Sequence, residues 1–231
     1  MSVNIFGAVA VHILALGIMS WGYFGLESTV MNTFIVRQKG GHFQFLTIQA
    51  LAMAWITMAL SLCSDIIPTS RLLKQMKRAF FMIALPVSVV VTVIYWSLLF
   101  FLPGLILQTP PAVSEPSSEP FSSNLPGPAR IPLSLDLALH ATPAITLLVD
   151  FFAFERSYDA LAVTHGAPAM AFAFGTWYSL WVEYCASFNK KFRIAIYATV
   201  TSVAFLSFRG INAVHLRLTC RDPLISKKKP E

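Results

Sequence analysis

Six stretches of this chain stay apolar for about 20 residues each, the length an α-helix needs to cross ~30 Å of hydrocarbon. They lie at about 4–26, 44–63, 80–102, 134–154, 168–187 and 192–215. In lipid, an apolar run of that length satisfies its backbone polar groups by forming a helix. The apolar residues fill these runs and do not alternate at helix or strand period. An all-α polytopic membrane protein is therefore expected, with six transmembrane helices in one bundle. Composition agrees. Of the 231 residues, 56% are hydrophobic and 12% charged, about half the charge of a soluble domain. The first run lacks a basic leader and a small-residue cleavage site, so it reads as an anchor and not as a signal peptide.

No internal repeat or second domain is visible, and residues 1–231 read as a single unit. The segment at about 108–132, QTPPAVSEPSSEPFSSNLPGPARIP in its Pro/Ser-rich part, has little to bury and is expected to lack fixed structure. A basic tail follows the last run, at about 217–231. The net charge of +6 does not point to nucleic acid, because Lys and Arg flank the apolar runs. Arg71, Lys74, Lys77, Arg78, Arg156, Arg217, Arg221 and Lys227 to Lys229 fall on one side. Arg37, Lys39, Arg130, Lys190, Lys191 and Arg193 fall on the other. That asymmetry puts both termini in the cytosol. Lys228 and Lys229 have the spacing of a dilysine retrieval signal, which points to the endoplasmic reticulum; an ordinary basic stop segment would look the same. Cys63, Cys185 and Cys220 form no pair and read as small buried apolar residues.

Polar residues inside the runs carry the functional signal, because an ionisable group at membrane depth is costly. His140 lies in LSLDLALHATPAITLLVDFF, one helical turn after Asp136 and on the same face. With alternating span direction, Glu27, Thr47, Asp136, His140 and Glu183 all fall in the leaflet opposite the cytosol. A threonine hydroxyl becomes a nucleophile when a neighbouring base takes its proton, and histidine is the usual base. A carboxylate such as Asp136 suits the role of holding the imidazole tautomer. Structural readings stand beside these: a backbone-bonded Thr47, a helix-capping Asp136 and an interfacial Glu183. His12, His42, His165 and His215 are scattered without ligand spacing, and no metal or other cofactor is expected. No G-x-S-x-G or phosphate-loop pattern is present either.

The segment RQKGGHFQFLTIQALAMAW resembles the G-G-x-x-x-x-L-T region of the androgen-induced and androgen-dependent TFPI-regulating protein family of six-span membrane threonine hydrolases. DLALHATPAITLLVDFF is similar to that family's second motif, a His opening an apolar helix that ends in an acidic residue. WYSLWV resembles its aromatic fifth span. The resemblance covers most of the chain. It implies an intramembrane hydrolase that cleaves fatty acid esters of hydroxy fatty acids, with Thr47 as nucleophile and His140 as its partner. Two features depart from the family: Asp136 stands where an amide is expected, and the Pro-rich segment before span four is long.

The reading that follows is a lipid ester hydrolase in which Asp136 orients His140 and Glu183 or Glu27 shapes the pocket mouth. Its partners are the membrane and a lipid ester. A carrier or scaffold that binds lipid in the same polar pocket without chemistry is the alternative.

Overall fold

In a computed structural model, residues 5–105, 131–189 and 195–220 are described, and within them every regular element is helical. Much of the Pro/Ser-rich segment, Lys190 to Arg193 and most of the basic tail, Lys228 and Lys229 included, lie outside the described residues.

The principal elements are α1 (Ile5–Gly25), a short α2 (Asn32–Ile35), α3 (Leu46–Ile66), α4 (Arg71–Phe101), α5 (Leu133–His140), α6 (Thr142–Ala153), α7 (Ala167–Asn189) and α8 (Ala195–Cys220). Helices α1, α3 and α4 are long and apolar enough to cross a membrane. The bent pair α5–α6, with 44° between its halves, is so when taken as one span. At 23 and 26 residues, α7 and α8 match the length, but among the described residues they are not apolar enough to be counted with them.

Two differences from the sequence expectation have local causes. Helix α4 starts nine residues before the expected 80, because RLLKQMKR is helical and not a flank: the Ser70 hydroxyl caps it by accepting from Leu73 N–H at 3.3 Å. The fourth span is broken at Ala141. Pro143 has no N–H and its ring clashes with the preceding turn, so α6 restarts at Thr142 with Pro143 in its first turn.

In lipid there is no hydrophobic drive between helices, so close packing has to hold the bundle. Helix α1 buries one stripe, Ala8, His12, Ala15, Met19 and Gly22, at four- and three-residue intervals. Its small residues admit α5. A Cβ on Gly22 would come within 3.0 Å of the Cβ of Ala138, and one on Gly25 within 2.6 Å of the Leu135 side chain. Phe81 and Phe151, both fully buried, meet with ring centroids 5.9 Å apart where α4 crosses α6. Gly22→Val is therefore expected to wedge α1 from α5 and lower the thermal midpoint in detergent. Gly17→Val is the control, since a Cβ there meets open space.

Candidate active site

Thr47 is placed by the turn before it. Gly40 is left-handed (φ 87°) and Gly41 follows at φ 50°, which sends the chain into a 3₁₀ turn over Gly41–Gln44. Phe45 is extended and caps α3 without a side-chain bond, so Thr47 is the second helical residue. The N–H groups of Ile48 and Gln49 reach the carbonyl of Phe45. Those of Leu46 and Thr47 have no acceptor among the described residues.

The Phe43 carbonyl, four residues ahead of Thr47, accepts from Gln49 Nε2 and Trp181 Nε1, each at 3.0 Å. Thr57, Thr146 and Thr164 bond the carbonyl four residues back, as hydroxyls in apolar helices commonly do. The half-buried Thr47 makes no hydrogen bond among the described residues. It heads the buried stripe of α3 that continues through Leu51, Ala54 and Met58, and so faces the bundle interior.

His140 closes α5 just before the break and is 6% exposed. Its Nδ1 lies 2.8 Å from Asp136 Oδ1 and 3.2 Å from the Asp136 carbonyl, and Asp136 itself is 1% exposed. The break denies the His140 carbonyl its helical donor, and Thr92 Oγ1 of α4 donates to it instead. Tyr95, one turn further along α4, lies flat on the imidazole, with centroids 3.4 Å apart and planes 4° apart.

No hydrogen bond joins Thr47 to His140 among the described residues, but α4 bridges them. Val87 and Val91 pack in one cluster with Ala50 and Leu46, beside Thr47, and Thr92 follows Val91 in sequence. Glu27 sits exposed on a 3₁₀ turn after α1. Glu183 is half-buried on α7, with Oε1 shielded and without a hydrogen-bond partner.

Two apolar clefts flank α3. One, about 260 Å³, runs between α1 and α3 past Tyr23, Phe24, Leu51 and Trp55. The other, about 550 Å³, lies between α3 and α7 past Gln49, Met53, Phe174 and Trp177. Phe43 and Ala52 line both, and neither Thr47 nor His140 lines either. Among the described residues no group of three or more His, Cys, Asp or Glu is placed to hold a metal ion.

At the opposite end of the bundle is a second polar assembly that sequence reasoning missed. Asp150, fully buried, accepts from Ser61 Oγ at 3.0 Å and Lys77 Nζ at 3.2 Å, and His12 Nε2 stands 3.5 Å from it. His12 Nδ1 is 2.7 Å from Asp65 Oδ2. Lys77 also pairs with Glu155 at 3.1 Å, and Arg78 shares that carboxylate. Lys77 and Arg78, counted from sequence as topology signals, are thus spent in ion pairs. Burial pushes the phenol of the neighbouring Tyr158 above its usual range; its hydroxyl donates to the Arg78 carbonyl at 2.9 Å. At the site end, His42 Nε2 lies 2.7 Å from Asn32 Oδ1, and burial lowers its pKa, favouring the neutral ring.

The architecture and the Gly40–Gly41 turn before Thr47 bear on ancestry. A family model described as FAR-17a/AIG1-like protein matches residues 7–218. The chain belongs to the FAR-17a/AIG1-like family. It is a membrane protein, as its apolar helices require. Among proteins similar to this chain, a UPF0641 membrane protein of Schizosaccharomyces pombe is 25% identical over 210 residues, spanning 90% of this chain and 85% of its own. A UPF0641 membrane protein of Saccharomyces cerevisiae is 29% identical over 142 residues, 58% of this chain and 53% of its own. No solved structure matches the chain.

Proposed function

We propose that this chain is an intramembrane hydrolase of lipid esters, with Thr47 as nucleophile and His140 as general base. The observation that carries the reading is the Asp136–His140 pair. Nδ1–H donates to the Asp136 backbone carbonyl at 3.2 Å, which keeps the proton on that nitrogen and leaves Nε2 as the base. The carboxylate, with Oδ1 2.8 Å from Nδ1 but not hydrogen-bonded to it, favours the cation. As Thr47 Oγ1 attacks the ester carbonyl carbon, Nε2 takes its proton. The C–O bond to the leaving alcohol then breaks and Nε2 returns the proton to that oxygen. Water, deprotonated by the same nitrogen, attacks the acyl-threonine; the carboxylic acid leaves and Thr47 regains its proton. The N–H groups of Leu46 and Thr47, at the positive end of α3, suit the oxyanion of each tetrahedral intermediate. Hydrogen bonds between catalytic groups commonly tighten only around the substrate, so an open Thr47–His140 pair fits this scheme.

The family resemblance supplies the substrate class, fatty acid esters of hydroxy fatty acids. The apolar clefts on either side of α3 suit hydrocarbon tails. In this reading α1, α3, α4, the broken α5–α6, α7 and α8 make six spans. Both termini are cytosolic, and the dilysine tail holds the protein in the endoplasmic reticulum.

The test is ester hydrolysis by detergent-purified protein. With monodispersity confirmed, Thr47→Ala and His140→Ala are expected to lose about 10²-fold or more of kcat/KM, while Thr47→Ser retains activity. Full turnover by Thr47→Ala overturns the nucleophile. Absence of wild-type turnover, with lipid binding that tolerates Thr47→Ala, favours the carrier.

A further inference from the structure

Three contacts converge on His140, and only one is on its own helix. The Asp136 carbonyl accepts from Nδ1 at 3.2 Å, with the Asp136 carboxylate beside it. Thr92 and Tyr95, three residues apart on one face of α4, hold its carbonyl and cover one ring face. A stack with planes 4° apart engages neither nitrogen, so it restrains the ring without competing for Nε2. Turning the imidazole about its Cβ–Cγ bond would drive it through the Tyr95 ring. We infer that Tyr95 is the positioning residue that fixes the direction of His140 Nε2 and supports the ring while it carries the extra proton.

The inference rests on the reading of His140 as base. Its energetic part is differential. The imidazole is neutral before attack and cationic in the tetrahedral state, and a cation gains more from an aromatic face than a neutral ring does. Loss of the face therefore lowers kcat more than it raises KM.

The test compares Tyr95→Phe with Tyr95→Leu and Tyr95→Met in full-length, detergent-purified protein. Tyr95→Phe keeps the face and is expected to stay near wild-type kcat. The leucine and methionine variants are expected to lose about tenfold in kcat with KM little changed. A second readout does not need turnover: the rate at which diethyl pyrocarbonate modifies His140, followed by peptide mass spectrometry. It is expected to rise in the leucine and methionine variants and not in the phenylalanine variant. Equal kcat in all three, or a phenylalanine variant as impaired as leucine, overturns the inference. If wild type hydrolyses no ester, the hydrolase reading fails instead, and unchanged modification of His140 in the leucine and methionine variants then removes the positioning role as well.

Discussion

Asp150→Ala is expected to cost about 3–5 kcal/mol of stability, among the largest effects of any single substitution in this chain, because it leaves the buried Lys77 without its deepest partner. Asp150 gathers three helices besides its own: His12 from α1, Ser61 from α3 and Lys77 from α4. Its removal also strips Ser61 of its acceptor and faces His12 Nε2 with an empty space. Glu155 cannot take over, since it already shares its carboxylate between Lys77 and Arg78. The measurement is a thermal midpoint in detergent by size-exclusion chromatography with fluorescence detection. The decisive comparison is the double variant Asp150→Ala with Lys77→Met. Removing both charges abolishes the uncompensated one, so the double variant should be more stable than Asp150→Ala alone. A single variant that melts like wild type would mean the assembly holds nothing. Because it lies at the far end from Thr47 and His140, the folded fraction should keep its turnover.

That assembly also shows where sequence reading stops. Asp136 and His140 are four apart on one helix, so their contact was legible from spacing alone. Asp150 meets Ser61 and Lys77 across 89 and 73 residues, and nothing in a single sequence registers one helix against another at that range. The pairing of Lys77 is hidden for a related reason: a lysine beside an apolar run looks like a flank until the helix is seen to begin at Arg71. The apolar runs located the principal helices to within a few residues, with α4 the exception. Pro143 carried a readable signal for the break at Ala141, which a plain count of apolar residues passes over. Tyr95 left no trace at all. Inside VVVTVIYWSLLFF it is one more aromatic, and only the approach of α5 lays the His140 imidazole against it.

The turn before Thr47 is where one added methyl should do the most to the proposed chemistry. In Gly40→Ala the new Cβ would lie 2.5 Å from Cys185 Sγ, and the left-handed backbone at φ 87° adds about 1–2 kcal/mol for any residue with a Cβ. The loop cannot move aside without breaking the two bonds that Gln49 and Trp181 make to Phe43, which set the start of α3. It is also tied to α7 by Lys39, whose ammonium lies 5.5 and 5.2 Å from the Tyr184 and Phe188 rings. Gly40→Ala should therefore lift the 37–45 segment off α7 while the rest of the bundle holds. Two readouts follow. Tryptic cleavage after Lys39 should accelerate, and ester hydrolysis should fall by about tenfold or more, as displacement of a catalytic group by an ångström commonly does. Gly41→Ala separates strain from collision: its Cβ meets open space, so only the backbone cost at φ 50° applies and the loss should be smaller. Adding Cys185→Ala to Gly40→Ala removes the colliding sulfur and should restore part of both readouts. If the double variant cleaves and turns over no better than Gly40→Ala, the contact with Cys185 is not what seats the loop, and the backbone angle alone carries the effect.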